Sequence, residues 1–213
     1  MKINIFISTL NREEKLKRCI NSILVNTHKD WDLKIISNIR RENILVNANN
    51  FLAQADGDWH LGLSDDMELM PDTLSKLAEV GQKAFPDTDG AIGINQVNIA
   101  NAPESGLIVI GRKFANRFPG RRVICEDYEY FSDREQYLYM LLVGKFLYSP
   151  DVPVWHYHPA FYPEEMDATH IELRKDNPGE KDLEMFNVRQ AKGWLWGRDF
   201  NRIKEAAVRL QGY

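Results

Sequence analysis

The stretch ADGDWHLGLSDDMELMPDTL, residues 55–74, decides the fold. Asp56-Gly57-Asp58 is turn chemistry. Trp59, Leu61 and Leu63 then alternate with His60 and Gly62, as a strand does. Asp65 and Asp66 stand where that strand should end. Pro71 suits a first helical position, with Asp72 and Thr73 in the first turn. Side chains at a strand's carboxyl end face the crevice in which open α/β sheets bind ligands. Two adjacent carboxylates there are costly without a compensating cation, and hard oxygen ligands suit Mg²⁺ or Mn²⁺ carrying a phosphate.

Working outward toward the amino terminus, Ile3, Ile5 and Ile7 mark an opening strand that is apolar on nearly both faces, as a strand in a covered sheet is. Asn11 is expected to cap the helix that follows, with Glu14 reaching back. Leu16, Cys19, Ile20, Ile23 and Leu24 form one face of that helix, which is expected to end near Asn26. Leu33, Ile35 and Ile36 predict a second strand. Residues 43–55 carry apolar side chains at helical spacing. Strand, helix, strand, helix, strand predicts an α/β fold with a mostly parallel central sheet flanked by helices and joined by right-handed crossovers.

Toward the carboxyl terminus the pattern predicts a helix stopping near Gly81, strands at 91–97 and 107–110, a helix over 134–143 stopped by Gly144, and short strands at 146–148 and 152–155. The tail from Pro159 is polar, with helical pieces around 183–191 and 201–210 and with Trp194 and Trp196 between them. At 213 residues and 44% hydrophobic content, the chain is long enough for one domain with a full core. A formal net charge of −4 gives no global nucleic-acid signature. Cys19 and Cys125 fit neither a metal spacing nor a disulfide framework, and Cys19 reads as a buried thiol. With no signal peptide and no apolar run of spanning length, a cytoplasmic protein without a transmembrane anchor is expected.

In this order the motifs resemble the family 2 nucleotide-sugar glycosyltransferases, which have the GT-A fold. That resemblance rests on INIFISTLNREEKLKRCINSIL at the start, on NANNFLAQADGDWHLGL, and on the triplet Ser64-Asp65-Asp66 before Pro71. It rests also on Asp133-Arg134-Glu135 eleven residues before Gly144, and on the histidines of SPDVPVWHYHP. It covers residues 2–158. The expected organisation is a GT-A domain over 1–158, with a donor half to about residue 100 and an acceptor half from 101 to 158, and a helical extension over 159–213. Two departures stand out. The triplet opens with Ser64, and the second strand ends in Ser37, Asn38 and Arg40 where the family usually has acidic residues.

The resemblance implies roles for particular residues. Asp66 would bind a divalent ion bridging the donor's phosphates, against the plain reading of a solvated acid before a helix. Asp65 would accept hydrogen bonds from donor hydroxyls. Thr9, Asn11, Arg12, Asn38 and Asn47 would line the donor site, although a solvated position is the default for Asn47 and Asn50. Asp133 would be the catalytic base; Ser132 to Glu135 also reads as a capping box. Glu126 and Asp127 are a rival acidic pair. His156 and His158 are expected to point to opposite faces, so that only His156 joins the metal; His170 and His60 are given no role. Arg112, Lys113, Arg117, Arg121 and Arg122, interleaved with Phe114 and Phe118, would grip and stack on an anionic acceptor with Glu135 nearby, or else form a solvated loop.

The function expected is metal-dependent transfer of a sugar from a nucleoside-diphosphate sugar, a UDP-sugar by family habit, to an acceptor hydroxyl with inversion, using Mn²⁺ or Mg²⁺. The acceptor would be a surface glycan or a hydroxymethylated DNA base in a phage. A non-catalytic nucleotide-sugar binder is the alternative. A nucleotidyltransferase ranks below both, because STLNREE lacks glycine.

Overall fold

A computed structural model describes residues 1–37, 43–99, 107–129, 131–175, 178–195 and 198–199. Along the chain come β1 (Ile3–Thr9), α1 (Glu13–Leu24), β2 (Trp31–Ser37), α2 (Ile44–Gln54), β3 (Trp59–Ser64) and β4 (Met67–Leu69). Next are α3 (Thr73–Ala84), β5 (Ala91–Gln96), β6 (Ile108–Gly111), α4 (Arg112–Ala115), α5 (Ser132–Leu142) and β7 (Phe146–His156). They are followed by α6 (Ala168–Arg174), α7 (Pro178–Ala191) and a small ribbon of β8 (Trp194–Leu195) and β9 (Arg198–Asp199). Seven strands form one sheet in the order β2-β1-β3-β6-β5-β7-β4.

β1 pairs in parallel with both β2 and β3. Because the chain steps outward to β2 and then back across to β3, right-handed crossovers put α1 and α2 on opposite faces. The core follows that division. Ile3, Ile5 and Ile7 meet Cys19 and Ile23 of α1 and Leu74 and Leu77 of α3 on one face. Phe6 meets Phe51 and Leu52 of α2 and Met140 of α5 on the other. Every residue of β1 is buried, as the two-sided apolar pattern requires. β5 runs parallel to β7 and antiparallel to β6, which is itself antiparallel to β3. The carboxyl ends of β1, β3, β5 and β7 therefore share one rim, and Thr9, Ser64, Gln96 and His156 stand on it.

Several local expectations are corrected. Asn11 does not cap α1: it sits at φ 52°, and the cap position is Arg12, whose side chain makes no capping bond. The left-handed backbone, which asparagine tolerates better than most residues, turns the chain between β1 and α1. The run after Asp66 holds a strand that was not foreseen, β4, at the sheet edge and antiparallel to β7; three residues are too short for a periodicity to show. α3 is capped at Asp72, leaving Pro71 outside, and it runs through Gly81 to Ala84. Gly81 is there for packing, since an added Cβ would lie 2.8 Å from the Trp59 indole. The two short strands expected after Gly144 are one strand, β7, whose register against β5 shifts between Ile94 and Asn95. α6 was not foreseen, and residues 201–210 and Trp196 lie outside the described residues.

The segment that carries the next helix is tied to α2 by amides. Asn49 is fully buried; its Oδ1 accepts the Ile124 N–H at 3.0 Å, and its Nδ2 donates to the Ile124 carbonyl at 2.8 Å and to Glu126 at 2.7 Å. Asn43 Nδ2 donates to the carbonyls of Glu126 and Tyr128 at 3.1 and 3.3 Å. Replacing Asn49 with Ala strands buried backbone groups, and is expected to cost about 2–4 kcal/mol. A urea-denaturation midpoint equal to wild type would contradict this.

Candidate active site

The rim collects an acidic cluster. Asp65 and Asp66 form the turn between β3 and β4 and are 1% and 3% exposed. Asp65 accepts from Thr9 Oγ1 at 2.7 Å and from the Arg12 guanidinium at 2.9 Å. Burial pushes its carboxyl up, against the pull of Arg12 and Thr9. Asp66 goes the other way. Burial raises it too, but its contacts with His156 and Ser64 and the charge of Arg12 outweigh that and hold it well below the usual carboxylate range. Adjacent carboxylates with opposed tendencies have different chemical uses.

His156 faces Asp66, with Nε2 3.4 Å from Oδ1. Its other nitrogen, Nδ1, lies 2.6 Å from Gln96 Oε1. An amide oxygen accepts only, so Nδ1 carries a proton toward Gln96 and Nε2 is the nitrogen turned to the carboxylate. Asp66 Oδ1 is buried without a hydrogen-bond partner. A buried carboxylate oxygen with no hydrogen bond, beside the free-facing nitrogen of a ring held from behind by an amide, is a donor pair that fits a cation. Among the described residues no group of three His, Cys, Asp or Glu side chains is arranged to hold a metal ion. Asp66 and His156 thus fit an ion whose remaining ligands come from a bound phosphate, the common arrangement for hard cations at phosphate sites.

His170, given no role from the sequence, is brought to the same carboxylate. Its Nε2 stands 3.7 Å from Asp66 Oδ2, and its Nδ1 stands 2.9 Å from Asp167 Oδ1. Asp167 caps α6 by accepting the His170 N–H at 2.9 Å. That spacing, Asp-Ala-Thr-His, was a legible helix start. The segment is fastened to α1. Arg12 Nε lies 3.2 Å and Lys15 Nζ 2.8 Å from Asp167, Lys15 and Arg18 pair with Glu165, and the Arg18 guanidinium sits 3.8 Å over the Tyr157 ring. Burial and the charge of Arg12 lower His170.

His156 and His158 do not diverge. Their rings are 5.3 Å apart, because residues two apart in an extended segment share a face. His60 is buried edge-on to Phe51, ring centroids 6.3 Å apart, and burial lowers it to about 4.

The remaining candidates divide. Thr9, Arg12, Asp65, Asp66 and His156 are brought together. Asn47 is buried in the first turns of α2, and its Nδ2 has no hydrogen-bond partner. Asn11 is exposed on the loop after β1. Asn38 lies outside the described residues. Asp133 stands in the first turn of α5, which follows the segment that Asn43 holds through the Glu126 and Tyr128 carbonyls. The capping box does not form: Phe131 occupies the cap position without a side-chain bond, and the Arg134 N–H donates to Asp133 Oδ1 at 2.8 Å. Burial pushes the Asp133 carboxyl up to about 6.

The basic segment is not brought to this cluster. Arg117 pairs with Asp89 before β5, with Nε–Oδ1 at 2.7 Å. Arg121 donates to the Ala55 carbonyl at the end of α2 at 2.6 Å. Both lie by the opposite ends of the strands. Arg122 pairs with Glu126. Phe114 and Phe118 pack on each other in the core at 5.7 Å and offer no stacking face. Glu135 is 1% exposed beside Arg189, 3.4 Å away. Basic and aromatic interleaving here marks a charged exterior over an apolar interior.

No protein-family model and no curated protein matches the chain. Solved structures do. The S. aureus TarS 1-349 structure matches at TM-score 0.55 and 14% identity, over 80% of this chain and 68% of that one. The mannosyltransferase PcManGT from Pyrobaculum calidifontis, solved with GDP-Man and Mn²⁺, matches at TM-score 0.59 and 15% identity, over 72% and 56%. TarS 1-349 in complex with UDP-GlcNAc matches at 0.54 and 13%, over 71% and 56%. The chain has the GT-A fold of the nucleotide-sugar glycosyltransferases.

The raised Asp133 carboxyl has a stability signature. An acid whose folded pKa lies above its unfolded value of about 4 makes ionisation unfavourable to the fold. The penalty is absent below about pH 4 and complete above about pH 6. Asp133→Asn removes it, so the variant should melt above wild type at pH 7.5, and the gap should close as the pH falls to 4. An equal or lower melting temperature at pH 7.5 contradicts the assignment.

Proposed function

We propose that the protein is a metal-dependent glycosyltransferase that moves a sugar from a nucleoside-diphosphate sugar to an acceptor hydroxyl with inversion. The observation that carries this reading is the buried, unpartnered Asp66 Oδ1 beside His156 Nε2 on the carboxyl rim of a GT-A sheet. Structural neighbours with UDP-GlcNAc or with GDP-Man and Mn²⁺ support the donor class and the metal.

Asp66 and His156 would hold Mn²⁺ or Mg²⁺, and a carboxylate beside an imidazole favours Mn²⁺ of the two. The ion supplies charge neutralisation for the departing diphosphate. Asp65, pinned by Thr9 and Arg12, presents acceptor oxygen to donor hydroxyls. Asn47, whose amide nitrogen has no hydrogen-bond partner, would donate to the donor from α2. Arg12 adds a planar cation suited to phosphate. Asp133 takes the proton from the acceptor hydroxyl as that oxygen bonds the anomeric carbon. The bond from the anomeric carbon to the phosphate oxygen breaks, and the nucleoside diphosphate leaves with its electrons. A carboxyl near 6 suits a base at neutral pH, being ionised yet more basic than an ordinary aspartate.

A surface glycan is the acceptor this reading favours. The DNA alternative leaned on the basic aromatic segment, whose arginines are engaged in internal pairs and whose rings are buried.

Incubation with a panel of UDP- and GDP-sugars and Mn²⁺ tests the proposal. Slow donor hydrolysis is expected with one of them, falling by roughly 100-fold or more in Asp66→Ala, where the charge stabilisation is lost. Binding without turnover across donors and glycan acceptors would contradict it and favour a nucleotide-sugar-binding protein.

A further inference from the structure

α7 belongs to no strand crossover, yet side chains spaced along one of its faces all reach the start of α5. Asp182 is 3% exposed, and its Oδ2 accepts the backbone N–H of Glu129 at 2.9 Å and of Phe131 at 3.1 Å. Those two donors belong to the chain that leads directly into α5. A turn further along, Phe186 packs on Phe131 with ring centroids 6.2 Å apart and carries the Arg134 guanidinium over its own ring at 5.0 Å. Another turn on, Arg189 stands 3.4 Å from Glu135 and donates to Asp127 at 2.6 Å. Residues 131, 134 and 135 are thereby held from one helix, and Asp133 lies among them.

We propose that α7 is a positioning helix for Asp133 and that Asp182 is its operative residue, fixing where the Asp133 carboxylate sits at the head of α5. The proposal rests on the reading of Asp133 as the base. Two backbone N–H groups on one carboxylate oxygen make a rigid clamp, because charge-assisted bonds are shorter and stronger than neutral ones. A clamp of this kind governs catalysis through geometry, since the base must lie within hydrogen-bond reach of the acceptor hydroxyl. The choice of a carboxylate has a second consequence. The charged groups acting on Asp133 are Arg134 of its own helix, which favours ionisation, and Asp182 from α7, which opposes it in the same direction as burial.

Asp182→Ala and Asp182→Asn in the full chain test this. The asparagine keeps an acceptor oxygen and the shape but removes the charge. With sugar-nucleotide hydrolysis as the assay, Asp182→Ala should lower kcat by roughly 10–100-fold while leaving donor KM nearly unchanged. Asp182→Asn should recover much of that loss, and should move the acidic limb of its pH–rate profile to lower pH. The ¹³C titration of the Asp133 carboxyl should move down in step. Wild-type kcat in both variants would overturn the proposal. So would a fall in melting temperature with the limb and the titration unmoved, which is what a merely structural residue gives. If Asp182→Ala does not fold, the asparagine variant still decides the question. Asp133→Asn with unimpaired hydrolysis would refute the base itself, and the titration in Asp182→Asn would then still report whether α7 controls Asp133.

Discussion

The Asp66 carboxylate and the His156 Nε2 face each other at 3.4 Å in a site nearly closed to water. Asp66 Oδ1 has no hydrogen-bond partner there, and much of the fold serves to bring the two groups together. β3 carries Asp66 to the rim, β7 carries His156 there, and the short edge strand β4 locks the two by pairing Met67 with His156. The Tyr157 N–H closes the join on the Asp66 carbonyl at 2.9 Å. Gln96, at the end of β5, holds the His156 ring through Nδ1. Parallel strands put all these ends on one side, so the site follows from the sheet.

Asp65 and Asp66 are neighbours in sequence and opposite in electrostatics. Asp65 is saturated by Thr9 and Arg12, so it is a fixed acceptor suited to recognition. Asp66 keeps an unsatisfied oxygen and is held ionised, so it is suited to a cation. Asp133 differs from both, its carboxyl raised by burial at a helix start. In the proposed reaction, environment would divide three aspartates of one ordinary chemistry into recognition, metal holding and proton transfer.

The parallel half of the sheet was legible because its signal is local and repeated. Ile3, Ile5 and Ile7 alternate, α1 and α2 have clear faces, and the order of elements dictates the crossovers. The Asp65–Asp66 pair was legible from its place at a strand end. What was not legible depends on contacts between distant segments. β4 is three residues long and exists only because β7 lies beside it. His170 is 104 residues from Asp66, and nothing in DATHIE says where α6 docks. The Arg117 to Arg122 segment misled for a related reason. Composition shows that arginines and phenylalanines alternate, but only the fold shows that the rings turn inward and that Asp89 and the end of α2 take the charges. His156 and His158 share a face, as the period of an extended chain requires and as the expectation of divergence overlooked.

The central claim is that Asp66 binds a divalent ion together with the donor's diphosphate. Calorimetric titration of the protein with UDP and with GDP, each with Mn²⁺ and with chelator, tests it most directly. One nucleotide should bind with Mn²⁺ and at least about tenfold more weakly without it, and Asp66→Ala should abolish that difference. Binding of either nucleotide that is indifferent to Mn²⁺, or a metal effect that survives Asp66→Ala, would contradict the account.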